Sequence, residues 1–119
     1  MTAVTAEEEA LAAVAAFDRA FGTGDVDAIM ATMTADCVFE DTGPPDGHRH
    51  EGAAAVRAAW TALFADSARA AFTTEESFAS GHRVVQLWRY DFDGGHVRGI
   101  DVFTVRDGLV AEKLSYVKG

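Results

Sequence analysis

The sequence is poor in the residues that staple or tether a small fold. Among its 119 residues Cys37 is the single cysteine. No disulfide can therefore form within the chain, and no cysteine-based zinc cluster can be assembled. That usage suits a reducing compartment. Basic residues are scarce: 10 Lys and Arg stand against 19 Asp and Glu, for a net charge of −9. A phosphate backbone would be repelled, so nucleic acid is not an expected partner. No apolar run approaches the ~18 residues that a membrane-spanning helix requires. The opening residues carry Glu7-Glu8-Glu9 and no basic region, which does not read as a secretory signal. The cytoplasm is the expected location. Gly-rich phosphate loops are missing too, because "GDVDAI" and "DGGH" lack the strand-to-helix setting such loops need. Linkers, repeats and low-complexity tracts are also lacking. What remains is a chain 49% hydrophobic, long enough to bury one core, and read as one domain over residues 1–119.

The periodicity changes halfway along. Thr5-Ala6-Glu7-Glu8 has the form of a capping box, and the three glutamates suit the positive end of a helix. Leu11, Val14, Phe17 and Phe21 then mark one helical face, and Gly22-Thr23-Gly24 ends it. Asp25 caps a short second helix with Val26, Ile29, Met30 and Met33 inward. Asp36 to Asp41 reads as a strand, and a third helix runs from about Gly52 to Asp66. From Ala71 the chain alternates as strands Phe72–Ser80, Arg83–Phe92, Val97–Arg106 and Leu109–Val117, with hairpin signals at Asp93-Gly94-Gly95 and Asp107-Gly108. Helices followed by runs of strands predict an α+β fold, three helices on one face of a strongly curved antiparallel or mixed sheet that leaves a conical pocket.

Alternation in strands assigns faces. Val97, Gly99, Asp101, Phe103 and Val105 share one, which sets Asp101 among apolar neighbours. Cys37, Phe39 and Asp41 share a face, and Lys113, Ser115 and Val117 share another. The opposite sheet face is also apolar, with Trp88, Tyr90, Ile100, Val102 and Tyr116 as its candidates. A second subunit is the simplest cover for it, so a homodimer through the outer sheet face is expected.

The order of elements, with "GDVDAIMATMTADCVFED", "HEGAAAVRAAW" and "RGIDVFTVRDGLVAEKLSYVKG", resembles the nuclear transport factor 2-like superfamily, and its SnoaL-like and ketosteroid isomerase-like members most. The resemblance implies a cone-shaped α+β barrel of cystatin-like type. It also implies a pocket for a small apolar molecule and, in an active member, isomerase or cyclase chemistry without a cofactor. In the isomerases the general base is an aspartate in an apolar-Glu-Asp context, which "VFED" places at Asp41. Their hydrogen-bonding acid in an Ile-Asp-x-Phe strand falls on Asp101. The division of roles between two carboxylates in that isomerase is a known pattern. The matching tyrosine of the first helix falls on Phe17, which cannot donate. The limonene epoxide hydrolase aspartates fall on Val85 and Ser115, with Arg83 standing for the arginine. The cyclase His-Trp-Asp run falls on Lys113, Leu114 and Ser115.

Residue chemistry sets the alternatives. Asp41 is either a base whose pKa an apolar wall raises or a turn residue hydrogen-bonding near Gly43. Asp101, costly unless paired or protonated, is either an acid at the pocket or the partner of Arg83 or Lys113. His50 can relay a proton to Asp41 or sit exposed in its loop. His48, His82 and His96 are expected in solvent, and Asp46, His48 and His50 are not expected to hold a metal. The leading expectation is proton transfer on a small apolar carbonyl compound with Asp41, Asp101 and His50 catalytic. Phe17, Phe39, Trp60, Phe103, Lys113 and Ser115 would line the pocket. The alternatives are a non-catalytic binder or dimerisation module, or a hydrolase or dehydratase using Asp41 and His50.

Overall fold

The structure is a computed structural model that describes residues 4–66 and 71–119. Helix α1 (Ala6–Thr23) opens as the capping box requires, with the Thr5 hydroxyl accepting from the Glu8 N–H. It ends at Gly24, whose φ of 70° lies where a side chain is strained. Helix α2 (Val26–Met30) is capped by Asp25, which accepts from the N–H groups of Asp27 and Ala28. Strands β1 (Met33–Glu40) and β2 (Arg49–Glu51), helix α3 (Ala53–Asp66) and strands β3 (Ala71–Ser80), β4 (Arg83–Phe92), β5 (Gly95–Arg106) and β6 (Leu109–Val117) follow.

The strands form one curved six-stranded sheet in the order β2-β1-β6-β5-β4-β3. It is mixed, because β1 runs parallel to β6 while the other neighbours are antiparallel. Helices α1 and α3 cover its concave face. The shared core holds Val14, Phe17, Ile29, Met33, Cys37, Val56, Trp60, Val84, Phe103, Val105 and Val110. Cys37 is wholly buried there, as a small apolar residue.

Several expectations need correction. The inward stripe of α1 is Ala10, Ala13, Val14 and Phe17, and Leu11 lies exposed. Strand β2 was not legible, since its three residues carry no apolar alternation and pair with β1 through the backbone. Phe72 and Phe78 of β3, though aromatic, are 45% and 50% exposed. Trp88 and Tyr90, expected on the outer face, belong to the concave one. Cross-strand partners share a face, and Trp88 pairs with Gly99, not with Ile100. The indole lies so close to Gly99 that a Cβ there would stand 2.4 Å from Trp88 Cζ2 and 2.2 Å from the Tyr116 carbonyl oxygen. Glycine is thus what lets Trp88 lie flat against the strand. Tyr90 follows at the same parity and meets the Phe72 ring, with centroids 4.5 Å apart.

A polar row across the concave face

Register stacks the concave face in levels. Near one end of the strands, Trp88 and Gly99 pair, with Phe72 packed edge-on to Trp88. Two residues along, Ser77, Gln86, Asp101 and Ser115 are successive cross-strand partners on β3, β4, β5 and β6. Two residues further, Val84, Phe103, Lys113 and Phe39 align in the same way, and below them the wall is apolar. A row of four polar side chains therefore crosses an otherwise greasy surface at a single depth.

The row is wired by hydrogen bonds. The Ser115 hydroxyl donates to Asp101 Oδ1 at 2.7 Å and accepts from Lys113 Nζ at 2.8 Å. Lys113 Nζ is itself 3.4 Å from Asp101 Oδ1, so this lysine, and not the exposed Arg83, is the partner of Asp101. Both charged side chains are about nine-tenths buried, at 10% and 9% exposure. The ammonium also stands 4.8 Å from the centre of the Phe39 ring and 5.6 Å from that of Trp60, a cation–π setting. On the other side the Ser77 hydroxyl donates to Gln86 Oε1, and Gln86 Nε2 donates to Asp18 Oδ1, each at 3.0 Å. Asp18 comes from α1. Burial pushes its carboxyl above the usual value, against the Gln86 hydrogen bond that lowers it, and the neighbouring Asp101 charge adds to the rise.

Asp18 and Gln86 were missed in the sequence. Asp18 follows Val14 by four residues and so shares the buried stripe of α1, which is the signal that could have found it. Of the expected lining, Phe17, Phe39, Trp60 and Phe103 are buried and packed on one another, with Phe39 and Trp60 centroids 4.3 Å apart and Phe17 and Phe103 5.6 Å apart. They pack into the core beneath the polar row.

Asp41 is arranged differently from the expected base. It lies one residue past β1, where its Oδ1 accepts from the His48 N–H at 2.7 Å and the Gly43 N–H at 3.0 Å, closing the turn. Its Oδ2 lies 3.2 Å from His48 Nδ1 and 3.5 Å from His50 Nε2. Burial raises its pKa, but those hydrogen bonds together outweigh burial and hold the carboxyl below the usual value. The expected rise is therefore corrected, because the loop backbone supplies donors that the apolar strand cannot. His50 is half-buried and stacks on Phe39, with centroids 5.7 Å apart, so it borders the wall that carries Lys113. His48 is exposed, as expected, though it contacts Asp41.

Asp18 and Asp41 make opposite contributions to stability. The Asp41 contribution is present above its unfolded value and is lost as pH falls through the lower folded one. The Asp18 contribution is full below its unfolded value and is lost as pH rises through the higher folded one, so ionised Asp18 costs stability at neutral pH. Carbonyl-carbon NMR titration will place Asp18 above and Asp41 below 3.8, the ordinary aspartate value. The reverse order would remove this electrostatic account.

The fold and these residues meet known proteins as follows. The chain belongs to the SnoaL-like domain family, whose model matches residues 14–113. An NTF2-like protein of unknown function from Mesorhizobium loti is 35% identical, with a TM-score of 0.85 over 99% of this chain and 98% of that one. A protein from Sinorhizobium meliloti described as a candidate polyketide cyclase is 28% identical, with a TM-score of 0.72 over 87% of this chain and 92% of that one. An LEH-like epoxide hydrolase from M. tuberculosis is 25% identical, with a TM-score of 0.74 over 98% and 83%. Among curated proteins no match is found. No helix among the described residues is long and apolar enough to cross a membrane.

Proposed function

We propose that the chain is a cofactor-independent proton-transfer enzyme acting on a small, largely apolar carbonyl compound bound over the polar row. The single observation that carries this reading is the buried Lys113–Ser115–Asp101 chain set in an aromatic wall, with a second carboxyl, Asp18, at the same depth. An enolate oxygen is the charge such a wall can receive. Lys113 supplies the cation, and Asp101 acts through Ser115 as the acid that holds and returns a proton. A lysine at this place departs from the arrangement that the resemblance implies, since an ammonium stands 3.4 Å from Asp101 Oδ1. Asp18 is the group suited to take the α-proton. Its raised pKa makes it a stronger base than Asp41, whose pKa is lowered. The likeness to a candidate cyclase supports enolate chemistry but names no substrate.

The test is deuterium wash-in. The protein, incubated with cyclohexanone in deuterated buffer, should speed exchange of the α-protons above the buffer rate, as followed by proton NMR. No acceleration would overturn the reading. A second reading, hydrolysis or dehydration by Asp41 with His50, is favoured by their 3.5 Å contact beside Phe39. Opening of cyclohexene oxide to the diol by the natural chain, lost in Asp41→Asn and kept in Asp18→Asn, would select it.

The same reading includes a homodimer through the outer sheet face. Phe78, Ile100 and Tyr116 are 50%, 37% and 51% exposed there, and Leu87, Ile100 and Tyr116 are cross-strand neighbours lining a groove of about 530 Å³. Sedimentation should give a dimer for the natural chain and a monomer for Ile100→Glu. A monomer for both would remove the interface.

A further inference from the structure

The geometry points to Lys113 as a covalent nucleophile, whose amine forms an imine with an aldehyde or ketone bound on the aromatic wall. This rests on the carbonyl reading above and deepens it.

The chain has two lysines, Lys113 and the exposed Lys118. Burying one of them is expensive. A buried ion pair is often matched or bettered in stability by apolar residues of the same volume, so stability alone gives weak reason to keep it. The hydrogen bonds around Lys113 have a direction that suits a chemical role. Nζ–H donates to Ser115 Oγ, and the Ser115 O–H donates onward to Asp101 Oδ1. A hydroxyl that accepts from an ammonium and donates to a carboxylate is a two-bond path for moving one proton off the amine. Phe39 and Trp60 give the amine apolar neighbours, their ring centres 4.8 and 5.6 Å from Nζ. Trp60 Nε1 is buried with no hydrogen-bond partner among the described residues, so this wall holds a donor to spare.

The step balances without an added reagent. One proton passes from the ammonium through Ser115 to Asp101, leaving a free amine and a carboxylic acid. The amine lone pair attacks the carbonyl carbon, and the carbonyl oxygen takes one of the two protons of the attacking nitrogen to give the neutral carbinolamine. Its hydroxyl takes the proton held by Asp101 and leaves as water, while the C=N bond forms. The sum is ketone plus ammonium giving iminium plus water, with Asp101 again an anion. The iminium acidifies the α-protons that Asp18 would remove, so the covalent step and the proton transfer serve one another.

Reduction traps the imine. Wild-type protein treated with cyclohexanone and cyanoborohydride, then digested and analysed by mass spectrometry, should carry a cyclohexyl group on Lys113 in excess of that on Lys118, despite the burial of Lys113. Lys113→Arg, which keeps the positive charge but cannot form the imine, should lose ketone exchange. Label on Lys118 and the amino terminus alone would overturn the covalent step, and so would retained exchange in Lys113→Arg. Catalysed exchange without label at Lys113 overturns the imine while leaving the proton-transfer reading intact. Absence of both exchange and label overturns both.

Discussion

Asp101→Leu will cost about 3–5 kcal/mol of folding stability, and Lys113→Met introduced into the same chain will restore much of it. The two side chains are each about nine-tenths buried and 3.4 Å apart, so removing one leaves the other charge in an apolar wall with the Ser115 hydroxyl as its hydrogen-bond partner among the described residues. Removing both leaves a leucine and a methionine among Phe39, Trp60 and Phe103, where apolar volume is welcome. Small domains have about 5–15 kcal/mol in total, so the single change brings the chain near its unfolding threshold. Urea denaturation of the four members of the cycle reads the coupling directly. If the double variant lost the sum of the two single losses, the pair would not be interacting and the wiring of the row would be wrong.

Asp18→Asn should cut the rate of ketone exchange by about 10²–10⁴-fold, the usual contribution of one general base. The same variant should be more stable than the natural chain at neutral pH. Ionised Asp18 is held in a half-buried position where burial disfavours its charge, and asparagine keeps an oxygen to accept from Gln86 Nε2 at the same place. A gain in stability joined to a loss of rate is the pattern of a group kept for chemistry at a cost to the fold. The gain should vanish as pH falls and Asp18 takes up its proton. A variant less stable at neutral pH, with unchanged exchange, would make Asp18 a structural residue.

Much of this architecture could be read from the chain because its punctuation is local. Thr5 with Glu8, Gly24, Asp25 and the Asp107-Gly108 turn each act over a few residues, and strands β4 and β6 begin and end where alternation places them. Alternation also set Asp101, Phe103, Lys113 and Ser115 on buried positions. What failed was information carried between distant segments. Parity says that Trp88 and Gln86 share a face, but not which face, and only the pairing of Trp88 with Gly99 decides it. Asp41 looked like a buried base because its strand is apolar, yet its carboxyl is governed by the N–H of His48, seven residues on. Asp18 was read past because a carboxylate on a helix is ordinarily solvated. Its meaning depends on Gln86, 68 residues away.

The central claim is that Lys113 and its neighbours receive an enolate-like oxygen on the concave face. The most direct measurement is a crystal soaked with phenol, a planar mimic of an enol. The account predicts the phenol oxygen within about 3 Å of Lys113 Nζ, with the ring against Phe39 or Trp60. Phenol found only in the outer groove beside Leu87, Ile100 and Tyr116, with the polar row untouched, would contradict it.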